Sequence, residues 1–191
     1  MRALYPLAAL LVVCTCSCSY IVTSTEKVVQ TPERENLGLA GSWKPIDDRN
    51  APDSRKRDGF VIAGPDAKGV YTFEGKSGDT DGDHITADFT VERISEDSNH
   101  CLVDGAFRTS PMADASPSHI LAYCVVKDMR LTIWPISSEK LREQLKRSDI
   151  NAVIEYSWPF VNISEHGGAL RNILRENAKE LVDPPQVFTS D

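Results

Sequence analysis

The sequence predicts an α+β fold: an antiparallel, barrel- or sandwich-like sheet with two helices in the C-terminal third. Three observations carry this. Ile85, Ala87, Phe89 and Val91 alternate with Thr86, Asp88, Thr90 and Glu92, the period of two of a strand with one wet face. Short apolar runs bounded by Gly, Pro and Asp recur through the middle of the chain, as in closed or stacked antiparallel sheets. After Pro135 the pattern changes to helical spacing, with Leu141 and Leu145 four residues apart.

Taken in order, the folded part begins near Leu37, with Gly41-Ser42-Trp43 opening a strand and Trp43 supplying a core anchor. Phe60–Ala63 lies between Gly59 and Gly64-Pro65, and Val70–Glu74 between Gly69 and Gly75. The alternating strand at 85–91 follows, then strands over Cys101–Phe107 and Ile120–Val126. Asp128-Met129-Arg130 turns the chain into Leu131–Trp134. Ser137 suits a helix cap, Glu139 the first turn, and Lys146-Arg147 the last turn, where the helix dipole favours cations. Asn151–Tyr156 reads as another strand, and Phe160-Val161-Asn162-Ile163 leads to a second cap at Ser164. Leu170, Ile173, Leu174, Ala178 and Leu181 then form one apolar stripe, with Arg175 on the wet side, until Asp183-Pro184-Pro185 ends the helix.

The two strands around residues 108–117 permit a register. Pairing Phe107 with Ser118 places Cys101 opposite Cys124, Val103 opposite Ala122 and Gly105 opposite Ile120, on one apolar face. Directly opposed residues have Cα atoms about 4.5–5.5 Å apart, a span a disulfide can bridge. The expectation is a Cys101–Cys124 disulfide, which presupposes export.

Export is signalled at the other end of the chain. Arg2 is followed by an apolar run, Leu7 to Val13, that closes on Cys14-Thr15-Cys16-Ser17-Cys18. One early positive charge, a short apolar stretch and small residues before a cut site make a secretory signal. A cysteine at the cut resembles a bacterial lipoprotein signal, in which diacylglycerol is added to the sulfur and the preceding segment is removed. Cys18 fits best, because Ser17 is small whereas Thr15 before Cys16 and Val13 before Cys14 are β-branched. Cys14 keeps one feature of the pattern, Leu11 three positions upstream, where Cys18 has Thr15. The run is too short for the roughly 20 apolar residues of a membrane span. The domain organisation expected is therefore a signal over 1–17, a flexible tether over 18–36 and one β-rich domain over 37–191.

Composition removes several function classes. A formal net charge of −7 and a pI near 5.1 give no electrostatic basis for binding nucleic acid. The one basic cluster, Arg55-Lys56-Arg57, lies between Asp53 and Asp58 and reads as a solvated loop. Asp79, Asp81 and Asp83 resemble the start of a calcium loop, but the glycine is misplaced and Thr90 stands where a bidentate Glu is required, so a hairpin turn is the better reading. His84, His100, His119 and His166 show no metal-ligand spacing, and neither a phosphate loop nor a dinucleotide fingerprint is present. No cofactor, metal or catalytic residue is assigned from sequence.

Three pieces together resemble a group of small, uncharacterised bacterial lipoproteins. They are the signal ending at Cys18, the run Leu131–Ile136 leading to the helix with Leu141 and Leu145, and Val161-Asn162-Ile163-Ser164 followed by Leu170, Leu174 and Leu181. Ser164 stands where that group usually has Thr. The resemblance implies a lipid-anchored cell-envelope protein facing the periplasm, and Ser19 after Cys18 implies outer-membrane sorting. It transfers no activity. The expected role is non-enzymatic: binding of a small apolar ligand or an envelope protein partner, with membrane contact through the lipid. The alternatives are an envelope hydrolase using a histidine with an acid such as Asp104 or Glu165, and a structural accessory of a membrane complex.

Overall fold

The computed structural model describes residues 21–46, 59–76, 84–95, 99–109, 119–157, 160–165 and 168–190. Eleven strands form one sheet: β1 (Ile21–Ser24), β2 (Gly41–Pro45), β3 (Phe60–Ala63), β4 (Val70–Lys76), β5 (His84–Arg93), β6 (Cys101–Thr109), β7 (His119–Lys127), β8 (Arg130–Pro135), β9 (Val153–Ser157), β10 (Phe160–Ser164) and β11 (Gln186–Ser190). Helix α1 is Ser138–Arg147 and α2 is Ala169–Glu176. The order β6-β5-β4-β3-β2-β11-β8-β7 closes through a β6–β7 pairing into an eight-stranded antiparallel barrel. Of the expected alternatives, barrel or sandwich, the barrel forms.

The remaining strands extend the wall. β8 pairs with β7 from Lys127↔Arg130 to Ala122↔Pro135, where proline has no amide hydrogen to continue the ladder. The freed edge of β7 then pairs with β1 through Thr23↔Ile120 and Ser24↔His119. β1 continues the sheet through a parallel pairing with β10, and β9 is the outer edge. The β7–β8 connection is a two-residue turn with Asp128 and Met129 both at positive φ, the geometry that matches strand twist.

Two cores result from the alternation on β6 and β7. Cys101, Cys124 and the barrel-facing side chains join Trp43, Phe60, Tyr71, Phe73, Phe89, Leu131 and Phe188 inside the barrel. Leu102, Leu121 and Tyr123 point outward and are buried with Val22, Val161, Ile163 and both helices. Leu141 and Leu145 of α1, and Leu170, Ile173 and Leu174 of α2, supply the helical half of this second core. The Tyr123 hydroxyl donates to the Leu174 carbonyl at 2.7 Å, which fixes α2 against β7.

Three sequence expectations need correction. The segment read as a tether is part of the fold from Ile21 onward: it contains β1, buries Val28 and Val29, and hydrogen-bonds Glu33 N–H to the Val91 carbonyl at 2.8 Å. Ser164 ends β10 rather than capping a helix; α2 starts after Gly168, its N-cap at φ +78°, and the Glu165 carboxylate accepts the Leu170 amide at 3.0 Å. The apolar stripe outlasts the helix. Asn177 closes α2, and Leu181 reaches the core from the following turns.

Candidate functional site

The barrel interior is filled unevenly. Eight strands leave an interior just wide enough for side chains to fill. Trp43, Phe60, Tyr71, Phe73 and Phe188 are inward-facing aromatics on β2, β3, β4 and β11. The opposite wall, β6 and β7, presents Val103, Gly105, Ala122 and Cys124. Small residues there leave an apolar cavity of about 70 Å³, also lined by Leu39, Ile62, Ala87, Phe89, Ile120, Leu131 and Ile133. Gly105 permits the close approach of Phe89, since a Cβ at 105 would lie 2.9 Å from the Phe89 Cβ.

A second space of about 260 Å³ opens at one end of the barrel, lined by Asn36, Leu37, Leu39, Arg93, Asn99, Cys101, Cys124 and Val126. Leu39 and Cys124 belong to both linings, so the mouth cleft adjoins the apolar cavity at those two side chains. A strap over residues 33–39 crosses this end. It is held by Glu33 N–H on Val91, by the Tyr71 hydroxyl donating to the Glu35 carbonyl at 3.2 Å, and by the Trp43 indole donating to the Leu39 carbonyl at 2.8 Å. Burial raises the Tyr71 hydroxyl above its ordinary pKa, so it stays protonated for this contact. Arg93 at the mouth pairs with Glu33 at 3.1 Å.

Cys101 and Cys124 are Cα partners across β6 and β7, in the register read from sequence. They are free thiols, so the disulfide expected from that register is not formed in this structure. Their thiols interact with each other, and the Cys101 Sγ also lies 3.7 Å from the Asn99 carbonyl oxygen. A hydrogen bond from the Cys124 thiol, aided by the Arg93 charge, holds Cys101 below the ordinary thiol pKa. The same contact and full burial push Cys124 well above it.

The outer face carries a different constellation. The buried Asp104 carboxylate accepts the amides of Val28 and Val29 at 2.6 and 2.9 Å on one oxygen. Its other oxygen meets His119 Nδ1 at 2.7 Å. Ser24 lies opposite His119 in the β1–β7 register, and its hydroxyl accepts the Glu26 amide at 3.2 Å. Glu165 serves α2 alone and meets no histidine in the described residues. His100 stacks on Trp134, with ring centroids 5.3 Å apart. No cluster of three metal-ligating side chains occurs among the described residues. Cys14, Cys16, Cys18, the Asp79–Asp83 turn, the Arg55–Arg57 cluster and His166 lie outside them.

No protein-family model matches the chain, and no curated protein or solved structure matches it significantly.

Proposed function

We propose that this chain is a lipid-anchored envelope protein, acylated at Cys18, whose barrel takes up a small apolar ligand of the alkyl-chain class. The observation that carries the reading is the apolar cavity inside the closed barrel, adjoining a wider polar-lined mouth. At about 70 Å³ the inner space is roughly half the engineered cavity of about 150 Å³ that admits benzene. It is too small for a ring and takes only the tip of a narrow alkyl chain, whose remaining carbons would lie in the mouth cleft. The head group would rest in the mouth among Asn36, Asn99 and Arg93. Calorimetric titration with octanol and octanoate tests this. Octanol binds the wild type, and Ala122→Leu, which fills the cavity, abolishes binding while leaving a folded barrel. Equal binding by both proteins, or by neither, refutes the site. Octanoate reports whether Arg93 reads the head group. Anchoring is tested separately: Cys18→Ala moves the chain to the soluble periplasmic fraction, and retention in the membrane with fatty-acid label points to Cys16 or Cys14.

A hydrolase is the second reading, and the Asp104–His119 contact favours it. A carboxylate on Nδ1 orients an imidazole as a general base. Against it, the other oxygen of Asp104 is engaged in holding the chain at Val28 and Val29, and Ser24 is already an acceptor for its own turn. A purified chain that cleaves p-nitrophenyl butyrate, and loses that activity in His119→Ala, would put the hydrolase first.

A further inference from the structure

We propose that Cys101 and Cys124 form a thiol–disulfide exchange site at the barrel mouth, and that its redox state governs passage of an alkyl chain from the mouth cleft to the inner cavity. The second half rests on the ligand-binding reading; the first does not.

Geometry comes first. The two cysteines are directly opposed in the β6–β7 ladder, so their Cα atoms are a disulfide's span apart. Both line the mouth cleft, and Cys124 also lines the inner cavity. The pair therefore stands at the boundary between the two spaces. A space of about 260 Å³ in front of it admits a small reagent. Roles follow from the surroundings. Cys101 faces Arg93 and has the lowered pKa, so it supplies the thiolate. Cys124 is held as the thiol and acts second.

The co-reactant is a low-molecular-weight disulfide, RSSR. The Cys101 thiolate attacks one sulfur, the S–S bond breaks, and RS⁻ leaves and takes up the proton that Cys101 lost. Cys124, deprotonated in turn, attacks the Cys101 sulfur of the mixed disulfide and expels the second RS⁻, which takes up that proton. The dithiol is oxidised to a disulfide and RSSR is reduced to two RSH. The bond then fixes the side-chain torsions of both cysteines. Cys124 and Leu39 are the two side chains common to both linings, so fixing the Cys124 sulfur fixes one side of the boundary an entering chain must cross.

The test uses the full chain and 2-hydroxyethyl disulfide, which is small and neutral. Trypsin cuts after Arg93, Arg108 and Lys127, which puts Cys101 and Cys124 on separate peptides. Non-reducing mass spectrometry of the oxidised, natively folded chain then shows these peptides joined, two hydrogens lighter than the free pair. Cys124→Ser stops at a mixed disulfide on Cys101, and Cys101→Ser forms neither product. Absence of the joined peptides, with Cys101 unmodified, overturns the exchange site. Octanol entry, followed by rapid-mixing tryptophan fluorescence, slows at least tenfold on oxidation of the wild type and is unchanged in oxidant-treated Cys101→Ser. Equal entry rates in the oxidised and reduced wild type overturn the gate. No octanol binding in either form overturns the ligand reading and the gate with it, while the joined peptides still decide the exchange.

Discussion

Replacing Leu174 by alanine tests whether α2 belongs to the core. Leu174 is fully buried, on the stripe with Leu170 and Ile173, and its carbonyl receives the Tyr123 hydroxyl. The change removes three carbon atoms from a packed site. At about 0.8 kcal/mol per buried methylene the transfer loss is about 2.4 kcal/mol. The residual cavity adds to it, which places the total at about 3–4 kcal/mol, within the usual range for Leu→Ala. With a urea m-value of about 2 kcal/mol/M, the midpoint falls by about 1.5–2 M. The matching control is Asn172→Ala on the exposed side of α2, expected within about 0.5 kcal/mol of wild type. Arg175, which the stripe places on the wet side, is not a neutral control. Its guanidinium meets Glu92 at 3.1 Å and the Ile94 carbonyl at 3.3 Å. An unchanged midpoint for Leu174→Ala would show that α2 detaches without cost, and the accessory-protein reading would replace the ligand-binding one.

The remaining predictions concern polar contacts. Glu92 is buried on β5 and is shared by Arg171 and Arg175, so Arg171→Ala should cost about 1–3 kcal/mol in urea unfolding, with Arg175 still present to limit the loss. Asp104→Ala strands two buried amides, Val28 and Val29; a loss of about 2–4 kcal/mol is expected, with fast hydrogen exchange at those amides. The amides of Val70 and Lys68 hold Asp66 below its ordinary pKa of 3.8, so its contribution to the β3–β4 turn is complete above that value and is lost as pH falls through the lower folded value; wild type should be more stable than Asp66→Ala above pH 3.8, with the difference vanishing as pH falls through that lower value. Alkylation of Cys101 should reach half-maximal rate below the ordinary thiol pKa, while Cys124 stays unlabelled until the barrel unfolds.

The parts of the fold that follow from local pattern were legible. β5 announces itself because every inward position is apolar and most outward ones are polar or charged. The β6–β7 register was readable because two cysteines and four small or apolar residues, Val103, Gly105, Ile120 and Ala122, share one parity. β1 and β11 were not readable, for opposite reasons. In β1 Thr23 and Ser24 point to opposite faces and both are buried, at 0% and 2% exposure, so a polar-looking sequence hides a strand. The Thr23 hydroxyl is satisfied by the Val161 carbonyl at 3.1 Å, a partner 138 positions away. β11 follows Pro184-Pro185, which reads as the end of structure; yet it closes the barrel between β2 and β8. The site was half legible. The cysteine pair came from register, but the cavity beside it comes from the contrast between an aromatic wall and a small-residue wall that meet only on closure. Asp104 could be named as an acid near a histidine. Its choice of His119 depends on β7 and β6 being neighbours.

The packed strap changes what acylation at Cys18 would mean. A tether over 18–36 would let the barrel roam many ångströms from the bilayer. With β1 beginning at Ile21, two residues, Ser19 and Tyr20, separate the proposed lipid site from the sheet, a reach of at most about 10 Å. The barrel is then held at head-group level. Removal of residues 1–17 takes Arg2 with it and leaves a formal net charge of −8, which offers no electrostatic adhesion to anionic lipid, so the acyl chains alone would hold the barrel there, and stable anchoring would need more than one. Proximity alters the ligand problem. A molecule with an alkyl chain is far more concentrated in the bilayer than in the periplasm, so a cavity of modest depth can be loaded from the membrane without high affinity. The same segment that shortens the leash also crosses the mouth, through Glu33, Glu35 and Leu39. Tension or motion at such an anchor would bear on the strap, whose Asn36, Leu37 and Leu39 line the same cleft as Cys101 and Cys124.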